Sequence, residues 1–172
     1  MRIETVNIKE AAEFDSFIKS HPKGHMMQTS MWGQVKKEWS WTGFIAREDS
    51  GEIRGVCGVL MRKIPYTPFK MMYAPRGPVC DLNDKETVSA LLGAASEYGK
   101  KNKAYTFKID TDTPADNTEY IDLLKSLGFT FKENNEKFES VQARYIFRLP
   151  LEGRSEEEVM AGFHSKIGRA HV

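Results

Sequence analysis

The chain has 172 residues, of which 40% are hydrophobic and 28% charged, and a net charge of +1. That length allows one domain with a real core, and the ordinary composition places it among soluble globular proteins. Near-neutral charge excludes a general polyanion binder but leaves room for a local RNA or phosphate contact.

Arg2 to Val6 reads as a first strand. Residues Lys9 to Ser20 follow as a helix with Ala11, Phe14, Phe17 and Ile18 on one face, capped by Asn7 and ended by Pro22 and Gly24. His21 and His25 flank that turn and are expected to face solvent. Thr29 or Ser30 then caps a short helix in which Trp32, Val35 and Trp39 form an apolar stripe at helical spacing. Lys36 borders the stripe, four residues after Trp32. Lys37 is rotated from Trp32 by about 140° and should face water. By pattern alone Lys36 reads as a snorkelling side chain on the rim of a packed face, ahead of the alternative of a charge held at a cleft.

Trp41 to Glu48, Ile53 to Arg62 and Phe69 to Tyr73 read as three strands of an antiparallel meander. Ile53 to Met61 is nearly continuous in apolar and small residues, which suits a strand covered on both faces. Cys57 lies in this run and reads as a small buried hydrophobe. The stretch from Tyr73 to Asp81 follows. Its strand must stop at Pro75, which has no N–H for a ladder; Gly77 allows a tight bend and Pro78 fixes the exit. The bend carries Tyr73, Arg76 and Asp81 towards a strand end, where ligands are often met. Taken alone, it is also a rigid turn with a surface arginine.

Asp84 to Lys101 is the clearest helix, capped by Asp84 and lined by Val88, Leu91, Leu92, Ala95 and Tyr98. Ala104 to Ile109 is a strand ending at Asp110, and a polar loop runs on through Pro114. Ala115 to Leu127 is a helix with Tyr120, Leu123, Leu124 and Leu127 facing inward, stopped by Gly128. Phe129 to Lys132 and Val141 to Leu149 are further strands, and Ser155 opens a last helix through Gly162. The order predicts an α+β domain with a mixed, mostly antiparallel sheet flanked by helices.

No Ser–His–Asp or Cys–His order stands out, no glycine-rich phosphate loop is present, and no Cys/His spacing suggests a metal site. Asp110 and Asp112 read as a solvated turn more than as a cation site. With neither a signal peptide nor a membrane-spanning apolar run, the cytoplasm is the expected compartment. Lys36, Arg76, Tyr105 and Asp110 remain, a set suited to recognising an anionic, sugar-like ligand.

Several motifs occur in one order: His21-Pro22-Lys23-Gly24-His25 with Trp32-Gly33-Gln34-Val35-Lys36, then Tyr73-Ala74-Pro75-Arg76-Gly77-Pro78-Val79, then Phe107-Lys108-Ile109-Asp110, then Gln142-Ala143-Arg144. In this order the chain resembles the front part of a Fem-type peptidoglycan-bridge aminoacyltransferase. Gln142-Ala143-Arg144 departs from the more usual Gln-Pro-Arg. The resemblance implies an acetyltransferase-like (GNAT-like) subdomain over residues 1–152, then the start of a connection to a second subdomain over 153–166. Residues 167–172 match one reading frame of a common sequencing adapter and are expected to be non-native, leaving a chain inactive as a transferase.

The implied activity is transfer of an amino acid from aminoacyl-tRNA to the stem peptide of a peptidoglycan precursor, either UDP-MurNAc-pentapeptide or lipid II. The resemblance assigns substrate binding to Lys36, Arg76, Tyr105 and Asp110. It leaves the catalytic group open, with Asp110 as the candidate. No cofactor is expected beyond aminoacyl-tRNA as co-substrate, no DNA partner is expected, and contact with the inner membrane face is compatible with the lipid-linked acceptor. Two other readings stand beside it: an acyl-CoA-dependent N-acyltransferase of similar fold, and a non-catalytic module binding cell-wall precursors.

Overall fold

A computed structural model describes residues 1–114, 116–130 and 149–163. The chain divides into two compact units, Met1–Glu133 and Asn134–Val172. In the first unit, β1 (Arg2–Val6), β2 (Ser40–Arg47), β3 (Ile53–Lys63), β4 (Lys70–Pro75) and β6 (Ala104–Asp110) lie side by side in the order β1-β2-β3-β4-β6. The first four strands are antiparallel neighbours, and β4 and β6 run parallel. The short β5 (Val79–Cys80) pairs with the start of β3.

Side chains alternate across a strand, so the sheet has two faces. On one, Phe44, Cys57, Val59, Met61, Met72, Ala74 and Cys80 pack against Val88, Leu91, Leu92 and Ala95 of α3 (Lys85–Lys101) and Tyr120 of α4 (Thr118–Ser126). On the other, Trp41, Ile45, Val56, Leu60 and Val79 pack against Phe14 and Ile18 of α1 (Ala12–Ser20), with Trp32 of α2 (Ser30–Val35) alongside. The continuous apolar run of β3 is therefore covered on both faces, as its composition requires. Cys57 and Cys80 are free and buried, and burial pushes the Cys80 thiol up to about 12.

Several boundaries move for local reasons. α1 starts at Ala12 rather than Lys9, because the Asn7 side chain accepts the Lys9 N–H in a turn of its own. α2 is capped by Thr29 as expected but ends at Val35, so the stripe does not continue as a helix to Trp39. Val35 is 61% exposed. Neither His21 nor His25 projects freely: both are half-buried, and each ring accepts a backbone N–H through Nδ1, from Lys23 and Met27. α4 starts at Thr118 after an Asn117 cap, and Leu127 is exposed rather than inward. Residues 141–148 of the expected strand Val141 to Leu149, residues 131–132 of Phe129 to Lys132, and the motif Gln142-Ala143-Arg144 fall outside the described residues. In the second unit, α5 (Glu156–Ala161) begins with a full capping box. Ser155 Oγ accepts the Glu158 N–H at 3.2 Å, and Glu158 Oε2 accepts the Ser155 N–H at 2.8 Å.

Asp84 carries more than a cap. It accepts the Thr87 N–H at 3.1 Å and the Thr87 hydroxyl at 2.6 Å, and it meets Arg54 at 3.2 Å. The Thr87 hydroxyl bond, with help from the Thr87 N–H and Arg54, holds its carboxyl below the usual range. A depressed carboxyl stabilises the fold above its unfolded value and loses that contribution as pH falls through the folded one. Asp84→Ala should cost about 1 kcal/mol at neutral pH. The deficit should shrink on acidification below about pH 4. Urea titrations at pH 7 and pH 3 measure both, and an unchanged deficit at pH 3 would contradict the assignment.

Candidate functional site

The site grows from an interruption in the sheet. Leu60 pairs with Tyr73 and Val56 with Val79, so between these pairs the β4–β5 side carries two more residues than β3. The gap exposes ladder groups that need other partners. Gln28, fully buried in the 3₁₀ turn Met26–Gln28, supplies them. Its Oε1 accepts the Gly58 N–H at 2.8 Å, and its Nε2 donates to Gly58 O at 3.0 Å and to Pro75 O at 2.6 Å. Two glycines make room. A Cβ on Gly58 would lie 2.5 Å from Gln28 O, and one on Gly77 would lie 2.7 Å from the Gln28 amide.

The bend itself differs from expectation in which residue turns it. Arg76 has φ +57, the left-handed region, whereas Gly77 serves through its missing side chain. The strained arginine is fixed by Asp110 at the end of the neighbouring parallel strand. Asp110 Oδ1 accepts the Arg76 N–H at 2.6 Å, and Oδ2 accepts the Tyr73 hydroxyl at 2.6 Å. Thr111 Oγ1 adds a bond to Gly77 O at 3.3 Å. Lys23, from the turn after α1, donates to Asp112 O. One carboxylate thus ties together two strand ends and a bend.

Trp41, Leu60, Tyr73 and Lys108 are successive cross-strand partners and lie on one face. With strands about 4.8 Å apart, Trp41 and Lys108 are separated by about 14 Å. The 3₁₀ turn and α2 cover the Trp41–Leu60 end, where Gly33 packs onto Trp41. Beyond that cover, Tyr73, Arg76 and Asp110 are half-exposed and Lys108 is exposed. At the edge of the cover, Lys36 caps α2 and its Nζ sits 5.0 Å from the Trp32 ring centroid. Lys36, Lys108 and Asp110 therefore belong to one sheet face, and Arg76 is tied to its edge through the backbone bond to Asp110.

Tyr105 is not brought into this group. It sits at the irregularity between the Lys70 and Met71 pairs, about 16 Å along β6 from Asp110. It lines a cavity of about 240 Å³ with Lys100, Phe107 and Phe129, and its ring lies 6.2 Å from Phe69. Asp81 is also carried away, because β5 returns to β3 before it and leaves it beside His21, Arg54 and Asp84. Tyr73 is at the strand end where the bend was expected to carry it, whereas Gln28 and Lys108 are additions. Lys108 stood within a sequence motif, but no local pattern marks Gln28.

A half-covered sheet with four antiparallel strands, one parallel neighbour and helices on both faces defines an acetyltransferase-like fold. The same fold is found in a probable acetyltransferase (TM-score 0.59, 14% identity, 87% of this chain and 99% of that one). It is found again in an aminoglycoside acetyltransferase from an uncultured soil metagenomic sample (TM-score 0.59, 16% identity, 79% and 95%). Within that class the chain belongs to the FemAB family, whose model matches residues 9–172. It is 37% identical over 159 residues to a lipid II:glycine glycyltransferase of Staphylococcus aureus, covering 90% of this chain and 37% of that protein. It also superposes on a crystal structure of FemX with a TM-score of 0.70 and 38% identity, covering 80% of this chain and 35% of that one. The chain spans little more than a third of the length of the glycyltransferase and of FemX.

Among the described residues, no helix is long and apolar enough to cross a membrane.

Proposed function

We propose that this chain binds the precursor in an aminoacyltransferase that builds peptidoglycan interpeptide bridges. The observation that carries the reading is its 37% identity, over 90% of its length, to a lipid II:glycine glycyltransferase. The geometry supplies roles. Lys36, steadied over Trp32, and Arg76, fixed by its own backbone bond to Asp110, neutralise the precursor's diphosphate. Asp110 and Tyr73, joined to each other, turn their remaining acceptor positions towards a sugar or peptide group. Tyr105, with its aromatic cavity, contacts a distal part of the same elongated ligand. The donor is an aminoacyl-tRNA, and UDP-MurNAc-pentapeptide or lipid II is the acceptor. The stem-peptide amine attacks the ester carbonyl, an amide forms, the tRNA hydroxyl leaves, and a proton is lost from the amine. The ester is already activated, so positioning and proton removal suffice. The protein works in the cytoplasm, at the inner membrane face when the acceptor is lipid-linked.

An acyl-CoA donor fits this unit less well. A pyrophosphate at the opening of α3 would need free backbone N–H groups. That opening instead holds Asp81 and Asp84, and Asp84 takes the Thr87 N–H.

Lys36→Ala should weaken UDP-MurNAc-pentapeptide binding about ten- to hundredfold, since a charge-assisted phosphate contact contributes about 1.5–3 kcal/mol. Lys37→Ala should change little. α2 ends before both lysines, so the contact with Trp32, rather than helical phase, separates them. Calorimetry on each variant, with circular dichroism as a check on folding, decides the matter. Equal effects, or no effect of Lys36→Ala in a folded protein, would return Lys36 to the rim of a packed face.

A further inference from the structure

The basic residues are not spread evenly. From Ile53 to Cys80 and from Tyr98 to Ile109 the sequence contains no aspartate or glutamate, although the whole chain is only +1. Folding lays these two acid-free runs side by side. Lys63 and Lys70 are direct partners across β3 and β4, and the Lys70 N–H donates to Lys103 O at 2.9 Å. Like charges placed directly opposite are destabilising. Yet among the described residues no carboxylate forms an ion pair with Lys63, Lys70 or Lys103, and Glu97, paired with Lys100, acts on Lys101 only at longer range.

Aromatic rings stand out among these charges. Tyr66, in the turn between β3 and β4, is 106% exposed and Phe69 is 45% exposed. Tyr66 has φ +62 and Lys103 φ +60, so a ring and an ammonium occupy left-handed corners of adjoining turns. That conformation is sterically unfavourable for a non-glycine residue. Clustered lysines beside outward-facing rings are what a single-stranded nucleic acid requires: cations for its phosphates and flat faces for its bases.

We propose that this end of the sheet, formed by Lys63, Tyr66, Phe69, Lys70, Lys101 and Lys103, is a docking surface for single-stranded RNA. It rests on the proposed function only in that an aminoacyl-tRNA donor presents such a strand at its acceptor end. The surface lies at the opposite end of β4 and β6 from Arg76 and Asp110, so RNA is held away from the diphosphate contacts and meets the precursor only towards Tyr105, whose ring neighbours Phe69.

The test is fluorescence anisotropy of the full chain with a labelled mixed-sequence 12-nucleotide RNA at several salt concentrations. Binding should weaken with salt. The double variant Lys101→Gln/Lys103→Gln should weaken it further and reduce the log–log salt slope by about 1.4, given about 0.7 per phosphate for single strands. Tyr66→Ala should weaken binding about 5- to 150-fold with the slope unchanged, since stacking is not ionic. Lys9→Gln/Lys19→Gln, away from these two runs, should leave binding as it is. No RNA binding, an equal loss in the Lys9/Lys19 control, or sedimentation with phosphatidylglycerol vesicles in place of RNA binding would each overturn the proposal. Precursor binding that persists without RNA binding sinks this inference alone. RNA binding with no precursor binding sinks the proposed function instead.

Discussion

Gln28→Met should destabilise the protein by about 3–5 kcal/mol, the largest effect expected of any single change discussed. The side chain keeps its length and most of its volume, so little packing is lost. What disappears is an amide that stands in for the missing sheet ladder. Gly58 N–H, Gly58 O and Pro75 O all lose the partner described above. Each buried group left unsatisfied costs about 1–3 kcal/mol, and partial relaxation keeps the sum below the maximum. Gln28→Ala should cost a similar amount, because water entering the smaller side chain's space can satisfy some groups while packing is lost. Urea titration measures both variants. A loss under about 1 kcal/mol for Gln28→Met would show that the strands repair the gap by themselves.

Asp110→Ala should combine a stability loss of about 2–4 kcal/mol with precursor binding weakened at least tenfold. The Arg76 N–H and the Tyr73 hydroxyl lose a charged acceptor, and bonds to charged groups contribute about 1.5–3 kcal/mol each. The bend is then free to leave the left-handed conformation at Arg76, and the guanidinium moves with it. Asp110→Asn keeps one carbonyl oxygen and should lie between wild type and alanine in stability. Tyr73→Phe removes only the hydroxyl bond. If Asp110 acts by fixing the bend, stability and binding should fall together across Ala, Asn and Tyr73→Phe. A folded, fully stable Asp110→Asn without binding would instead place its carboxylate directly on the ligand.

Much of the fold was legible because its causes are local. α3 announces itself by an aspartate cap, an apolar stripe of period 3.6 and lysines in its last turn, and its bounds are Lys85–Lys101 after Asp84. β3 announces itself by an unbroken apolar run, which only a strand covered on both faces tolerates. The same holds for Lys36, whose ring contact lies within one helical turn. Where local signals competed, the expectation failed. Trp32, Val35 and Trp39 keep helical spacing, but α2 ends at Val35 and Trp39 serves instead as a platform for Arg62 at 5.0 Å.

The sequence by itself determined the kinds and order of the elements, the α+β class, the two-sided burial of β3 and the family motifs. All of these depend on residues close together in the chain. Only the tertiary structure decided how the site is held. Gln28 reaches partners 30 and 47 residues away, and Asp110 reaches partners 34 and 37 residues away. A polar side chain carries no periodicity that names its partner. Its role is set by which backbone groups the sheet leaves unpaired, and that is fixed only when β3, β4 and β6 come into register. Tyr105 and Asp110 lie in one short strand and look like neighbours in sequence, yet the rise of that strand places them at opposite ends of the sheet.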